Sequence, residues 1–313
     1  MTTMIATRDA YGETLAQLGA EDPRIVVLDA DLSGSTKTGI FAKKFPERFF
    51  NMGIAEANMI GTAAGMAAVG KIPFASTFAI FAVGRAWEQV RQSVAYGKAN
   101  VKIVATHGGV TVGEDGGSHQ TVEDIAIMRA VPNMTVIVPA DGPETAAAIR
   151  AVAAFKGPVY VRLGRNKVPS VFSEGDAFEI GKGKVVRHGT DLTFVTTGLM
   201  TAHAVTAAET LAGQGISARV LHMGTVKPLD AELLIQAARE TGAIVTGEEH
   251  SIIGGLGGAV AECLGENFPV PLQRVGVKDR FGTSGKAEEL LKYFGLMPDD
   301  LAAAARQVLA RKG

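Results

Sequence analysis

The stretch "RIVVLDADLSGS", residues 24–35, decides the architecture. Ile25 to Leu28 run apolar without a break and stop at Asp29. A strand with one wet face alternates apolar and polar side chains, whereas an unbroken run marks a strand covered on both faces, as in a parallel sheet. The same pattern returns in "IPFAST" (72–77), "VKIVATH" (101–107), "TVIVPA" (135–140) and "PVYVRL" (158–163). Ala-rich runs of helical pattern separate them, from Ala55 to Val69, Ala79 to Tyr96 and Gly142 to Phe155. Short strands alternating with helices predict a doubly wound α/β domain over residues 1–165.

Residues 166–181, "NKVPSVFSEGDAFEIG", lose this periodicity and read as a linker. A second α/β domain follows over 182–313. Its strands are carried by "VVRHGTDLTFVTTG", "ISARVLHM", "GAIVTGEE" and "PLQRVGV". "IIGGLGGAV" (252–260) lacks the full GxGxxG spacing and a well-placed acid after it, so it reads as a tight turn into a packed helix, not a nucleotide cradle. No Walker motif and no GxSxG elbow occurs.

The bulk properties narrow the function further. A net charge of -1 over 313 residues argues against a nucleic-acid or membrane-surface binder, which would need a basic face. Cys263 is the only cysteine, which excludes an intrachain disulfide and a cysteine metal site; it is expected as a buried thiol. The N-terminal stretch "MTTMIATRDAYGETL" has no apolar signal core, and no apolar run reaches membrane length, so the expected location is the cytoplasm.

Ligands of open α/β sheets gather at the carboxyl ends of strands, so the polar residues there form the candidate site. "VVLDADLSGS" leaves Asp29, Asp31, Ser33 and Ser35 in that position. "VATHGGVTVGEDGGSHQ" leaves His107, then a glycine-rich loop with Glu114, Asp115 and His119; "VYVRLGRN" leaves Arg162 and Arg165. "STFAIF" places Phe78 and Phe81 one turn apart at a helix start. Each has an ordinary reading as cap, core or ion-pair residue. A long glycine-rich loop with two histidines and two acids is less ordinary, because long loops in compact domains tend to carry function. "FFNMGIAEANMIG" (49–61) adds one acid, Glu56, at the start of an otherwise uncharged helix, where macrodipole complementation alone could place it.

Taken in order, "ATRDAYGETL", "DADLSGS", "NMGIAEANMIGTAAGMAAVGKIPFASTFAIF", "VATHGGVTVGEDGGSHQ", "PADGPE" and "LGRNKVP" strongly resemble the transketolase family. The resemblance covers essentially the whole chain. It implies a pyrimidine-binding domain followed by the transketolase C-terminal domain of a thiamine diphosphate enzyme. The family's GDG…N motif for magnesium and the diphosphate is not found, and "GEDG" is not that motif.

The resemblance gives Glu56 a catalytic role: hydrogen-bonding a ring nitrogen of the cofactor's aminopyrimidine and promoting the imino tautomer that takes the thiazolium proton. An apolar niche of Ala and Gly suits a carboxyl that shares a proton. Phe78 and Phe81 match the aromatics packed around the ring, while Gly84 stands where many full-length members have a third. Arg8, Ser35, His107 and Arg165 match holders of the substrate phosphate and nearby hydroxyls. Asp115 matches a hydroxyl-binding acid, His119 a group at the reacting end of the sugar, and Asp31 a loop acid near the cofactor. No metal ligand is implied in this chain.

The implied protein is the C-terminal subunit of a split transketolase, moving a two-carbon ketol unit between phosphorylated sugars. Thiamine diphosphate would be shared with an N-terminal partner subunit, which would also bind Mg2+. The helix from Ala55 to Val69, apolar nearly all round, offers a surface to be buried against another subunit. The resemblance to beta-type chains that pair with themselves implies a homodimer within an α2β2 assembly. Deoxyxylulose-phosphate synthase, a 2-oxoacid dehydrogenase beta subunit and a non-catalytic subunit of the same fold are the competing readings. The first usually has Arg at the Phe81 position, and the second lacks the "THGGVTVGEDGGSHQ" loop.

Overall fold

The computed structural model describes residues 3–312. Its strands run, in chain order, β1 (Met4–Ala6), β2 (Ile25–Asp29), β3 (Phe49–Asn51), β4 (Ile72–Phe78), β5 (Lys102–Thr106), β6 (Thr135–Ile137), β7 (Val159–Arg162) and β8 (Lys167–Pro169). The second half adds β9 (Lys184–Arg187), β10 (Leu192–Thr196), β11 (Ala218–His222), β12 (Thr225–Lys227), β13 (Ile244–Ser251) and β14 (Leu272–Val277).

One sheet has the order β12-β6-β7-β5-β4-β2-β3 and is parallel except for β12. The unbroken apolar runs are explained by coverage on both faces. In β2, Val26 and Leu28 enter one apolar core while Ile25 and Val27 enter another on the opposite face. The first core is closed by Met59, Ile60 and Ala63 of helix Glu56–Ala68, and the second by Tyr11, Leu15 and Leu18 of helix Thr7–Glu21. The second sheet has the order β14-β13-β10-β11-β9, parallel apart from β9.

The two halves are not packed as independent blocks. β12, from the second half, completes the edge of the first sheet against β6, and the first core continues into Leu221, Met223 and Leu256. Within the stretch expected as linker, β8 pairs with β1.

Three expectations are corrected. The run from Ala79 to Tyr96 is not one helix: it divides into Ala79–Gly84, Trp87–Gln89 and a π-helical turn, Val90–Tyr96. Gly84 weakens the first segment, and Ala86 leaves helical geometry at φ -109° and ψ 10°. Phe78 ends β4 rather than starting the helix. Cys263 is only half-buried. "IIGGLGGAV" does turn into a packed helix, Leu256–Asn267, whose first amides donate to the buried Glu248 carboxylate at 2.7 and 2.8 Å. No helix among the described residues is long and apolar enough to cross a membrane.

Candidate active site

The polar residues converge at the carboxyl ends of β2, β4, β5 and β7. Buried Asp29, the last residue of β2, organises the first loop. Its carboxylate accepts from the Leu32 amide at 2.6 Å and from the Thr36 and Thr38 hydroxyls at 2.7 and 2.8 Å. That fixes the short helical turn Ser33–Thr36 and with it Ser35, whose carbonyl accepts from Arg8 Nη1 at 3.1 Å.

The same Arg8 nitrogen lies 3.4 Å from His107 Nε2, just past the end of β5. A guanidinium can only donate, so Nε2 is the acceptor, and Nδ1 carries the proton toward Thr106 Oγ1 at 2.8 Å. His107 is therefore a neutral imidazole in a fixed tautomer. Burial, then the charges of Arg8 and Arg165, pushes its pKa down to about 3. Burial also lowers the Arg8 pKa, with Asp9 opposing the shift and Arg165 adding to it. Arg8 Nε is buried without a partner. Two crowded guanidinium groups, one with an unused donor, fit an anion.

The aromatic residues adjoin this cationic end. The His107 ring stacks on Phe78 with centroids 3.8 Å apart, and Phe78 stacks on Phe81 at 5.8 Å. His119 meets both phenyl rings edge-on, at 6.3 and 5.6 Å. Glu56, the first residue of its helix, is 4 % exposed and accepts from Arg85 Nη1 at 2.9 Å. The Arg85 guanidinium in turn lies 4.2 Å over the Phe81 ring. The niche expected to be apolar, lined by Ala and Gly, thus also holds a cation.

The glycine-rich loop is braced from the second half. Buried Glu249, at the end region of β13, accepts from the Thr111 amide at 2.7 Å. Asn166 donates to the Thr111 carbonyl at 2.6 Å, and Arg165 Nη1 donates to the Val112 carbonyl. Gln120 reaches the Thr283 carbonyl at 2.8 Å, and Ser284 reaches that of Glu114 at 2.7 Å. Asp115 lies 3.6 Å from Arg165. Arg162 is turned away into a buried pair with Asp124 at 2.9 Å.

Glu56, Phe78, Phe81, His107, His119, Arg8, Ser35, Arg165 and Asp115 are thus joined through a continuous set of contacts and charges. Asp31 stands apart, exposed at φ 62°, accepting from Asn51 at the end of β3. No group of three or more His, Cys, Asp or Glu among the described residues could hold a metal ion.

Residues 3–171 match the family described as Transketolase, pyrimidine binding domain, and residues 181–301 match Transketolase, C-terminal domain. The chain belongs to the transketolase family. A Clostridium sp. (strain MSTE9) protein named 6-deoxy-6-sulfo-D-fructose transketolase subunit SqwH is 49% identical, over 97% of this chain and 95% of its own. An apulose-4-phosphate transketolase subunit of Phocaeicola vulgatus is 40% identical, over 98% of this chain and 99% of its own. A solved structure described as "Split gene transketolase, inactive beta4 tetramer" superposes with a TM-score of 0.93 at 57% identity, covering 99% of this chain and 100% of that one.

In this transketolase-family chain, Arg85 and Glu249 are the site neighbours that the sequence did not mark. Arg85 follows Gly84 inside what reads as one helix, and no local pattern marks its side chain as the partner of Glu56, 29 positions away. Glu249 reaches Thr111 across 138 positions, a separation that no local pattern spans.

Proposed function

We propose that this chain is the C-terminal subunit of a split transketolase, active with an N-terminal subunit that holds the diphosphate and Mg2+. The observation that carries the reading is the buried Glu56 carboxylate linked through Arg85 to the Phe78–Phe81 pair, with the Arg8–Arg165 cationic end reached from Phe78 through His107. A flat, weakly basic ring with a nitrogen to share a proton fits that combination, and aminopyrimidine is such a ring.

When bound, thiamine diphosphate supplies the carbanion chemistry of ketol transfer. This chain's residues do the rest. Glu56 holds a proton against a ring nitrogen, and Phe78 and Phe81 pack the ring faces and exclude water. His119, edge-on to both rings, attends the reacting end of the sugar. Arg8, Arg165 and Ser35 hold the anionic end, and neutral His107 fixes Arg8 through its Nε2 lone pair. Asp115 accepts from a sugar hydroxyl; Asp31 belongs to the outer loop on the cofactor side.

The anionic end suits a sugar phosphate. One relative is named for a sulfonated sugar, and a sulfonate presents the same oxygens to an arginine fork, which supports a specialised sugar as the second reading. The chain pairs with itself and carries two partner chains, an α2β2 complex; the solved relative is described as an inactive tetramer of β chains, which supports self-association and dependence on a partner. Mixing the purified chain with an N-terminal transketolase subunit, thiamine diphosphate and Mg2+ tests the proposal. Ketol transfer from xylulose 5-phosphate in the mixture, and none from either chain alone, is the expected result. Turnover by the single chain, or none in an assembled mixture with any ketose phosphate or sulfonate, overturns it.

A further inference from the structure

The guanidinium of Arg85 occupies two of the groups that the proposed function gives to the aminopyrimidine ring, Glu56 and Phe81. Its Cζ lies over Phe81, 4.2 Å from the ring centroid, and its Nη1 donates to Glu56 Oε1 at 2.9 Å. It is planar and carries N–H donors at its edge, as an aminopyrimidine does. The two partners differ sharply in exposure: the Glu56 side chain is 5% exposed and that of Arg85 51%. A buried carboxylate needs a partner in every state of the protein, whereas a half-exposed arginine can leave into water at little cost. The position next to Arg85 is open: a Cβ at Gly84 would meet only Ile80, at 4.0 Å. Arg85 itself lies between the helices Ala79–Gly84 and Trp87–Gln89, outside either one.

We propose that Arg85 is a built-in stand-in for the cofactor ring, occupying its place on Phe81 and Glu56 in the unpartnered chain and leaving when the ring enters. This rests on the reading of Glu56 and Phe81 as the aminopyrimidine site. Arg85 then serves two ends. It neutralises Glu56 while no cofactor is present, and it competes with the ring, so the measured cofactor affinity is reduced by the fraction of molecules in which Arg85 is out.

The test compares wild type with R85A and R85K, each assembled with the N-terminal subunit. Thiamine diphosphate binding in the presence of Mg2+ is measured by equilibrium dialysis, and melting of each chain is measured without partner or cofactor. R85A should bind thiamine diphosphate more tightly, by about tenfold, while its unpartnered chain melts at a lower temperature than wild type. R85K should fall between the two, since an ammonium reaches Glu56 but does not stack on Phe81. It carries the same test should R85A fail to assemble. A merely structural arginine would lower the melting temperature without tightening binding, so an unchanged or weaker affinity in an assembled variant overturns the proposal and leaves the site reading standing. If the assembled wild type binds no thiamine diphosphate, both fall.

Discussion

The imidazole of His107 lies flat on the ring of Phe78, centroids 3.8 Å apart and planes 18° from parallel. That stacking buries the ring, and Arg8 on its Nε2 leaves no place for a second proton. Folding therefore holds His107 neutral, with a pKa near 3 against an ordinary value of 6.5. The unfolded chain binds this proton below about pH 6.5 and the folded chain does not, so stability contributed here is present above that pH and is lost as pH falls toward 3. Between pH 7 and 5 the loss should be about 2 kcal/mol. Urea melts of wild type and His107→Asn across that range read it directly: the variant should lack this part of the acid sensitivity. Equal slopes would mean His107 takes up its proton as readily in the fold as in the unfolded chain.

Glu56→Gln keeps the side-chain shape and an acceptor for Arg85, but not the ability to share a proton. In the reconstituted complex, cofactor binding should persist while ketol transfer falls by about 10²–10⁴-fold, the scale of one acid–base contact. Proton exchange at the cofactor's reactive carbon, followed by NMR, should fall with it. Undiminished exchange would return Glu56 to a helix-start carboxylate held only by Arg85.

Arg8→Ala and Arg165→Ala separate holding the substrate from acting on it. Each should cost about 1.5–3 kcal/mol in kcat/KM for a phosphorylated ketose, the range for a hydrogen bond to a charged group. Each should leave hydroxypyruvate, which has no phosphate, close to wild type. Arg165 also braces the loop through the Val112 carbonyl, so a loss on both substrates would show that its structural contact dominates.

Gly109 is where the loop and the second half meet most closely. Its φ is 89°, and a Cβ there would lie 2.2 Å from the Glu249 carboxylate. Gly109→Ala must move that carboxylate off the Thr111 amide while adopting a strained backbone, a cost of about 2–4 kcal/mol. A fall in melting temperature together with lost activity is expected; a variant that melts like wild type would show the brace to be slack.

What the sequence disclosed follows from the range of the forces involved. The parallel sheet was legible at Ile25–Leu28 because burial on both faces leaves a local signature, and the strand-end rule led directly to His107 and Arg165. Phe78 and Phe81 were legible as a pair, but their arrangement was not: the chain leaves β4 at Phe78, and the rings stack across the strand–helix junction. Arg85 was hidden because a continuous helical pattern from Ala79 to Tyr96 gives no sign of where the backbone breaks. The pairing of β12 with β6 was hidden for a different reason: a three-residue strand carries too little pattern to announce an edge in the other half of the chain.

Self-association has a suitable surface on helix Glu56–Ala68. The helix buries Met59, Ile60 and Ala63 against the sheet, but leaves Gly65 and Ala68 exposed, with Ile54 and Val69 exposed just beyond its ends. An apolar helix with small residues on its open face suits close packing against another chain. Within a single chain, a Cβ at Gly61 or Gly65 would meet nothing within 4 Å. Gly65→Leu should therefore fold at least as well as wild type, since leucine favours a helix over glycine by nearly 1 kcal/mol. If this face pairs two copies, the larger side chain should separate them. Light scattering should then show the mass falling toward the 32.6 kDa of one chain, with the circular dichroism spectrum and melting temperature of the fold retained. An unchanged mass would place the self-contact elsewhere on the surface.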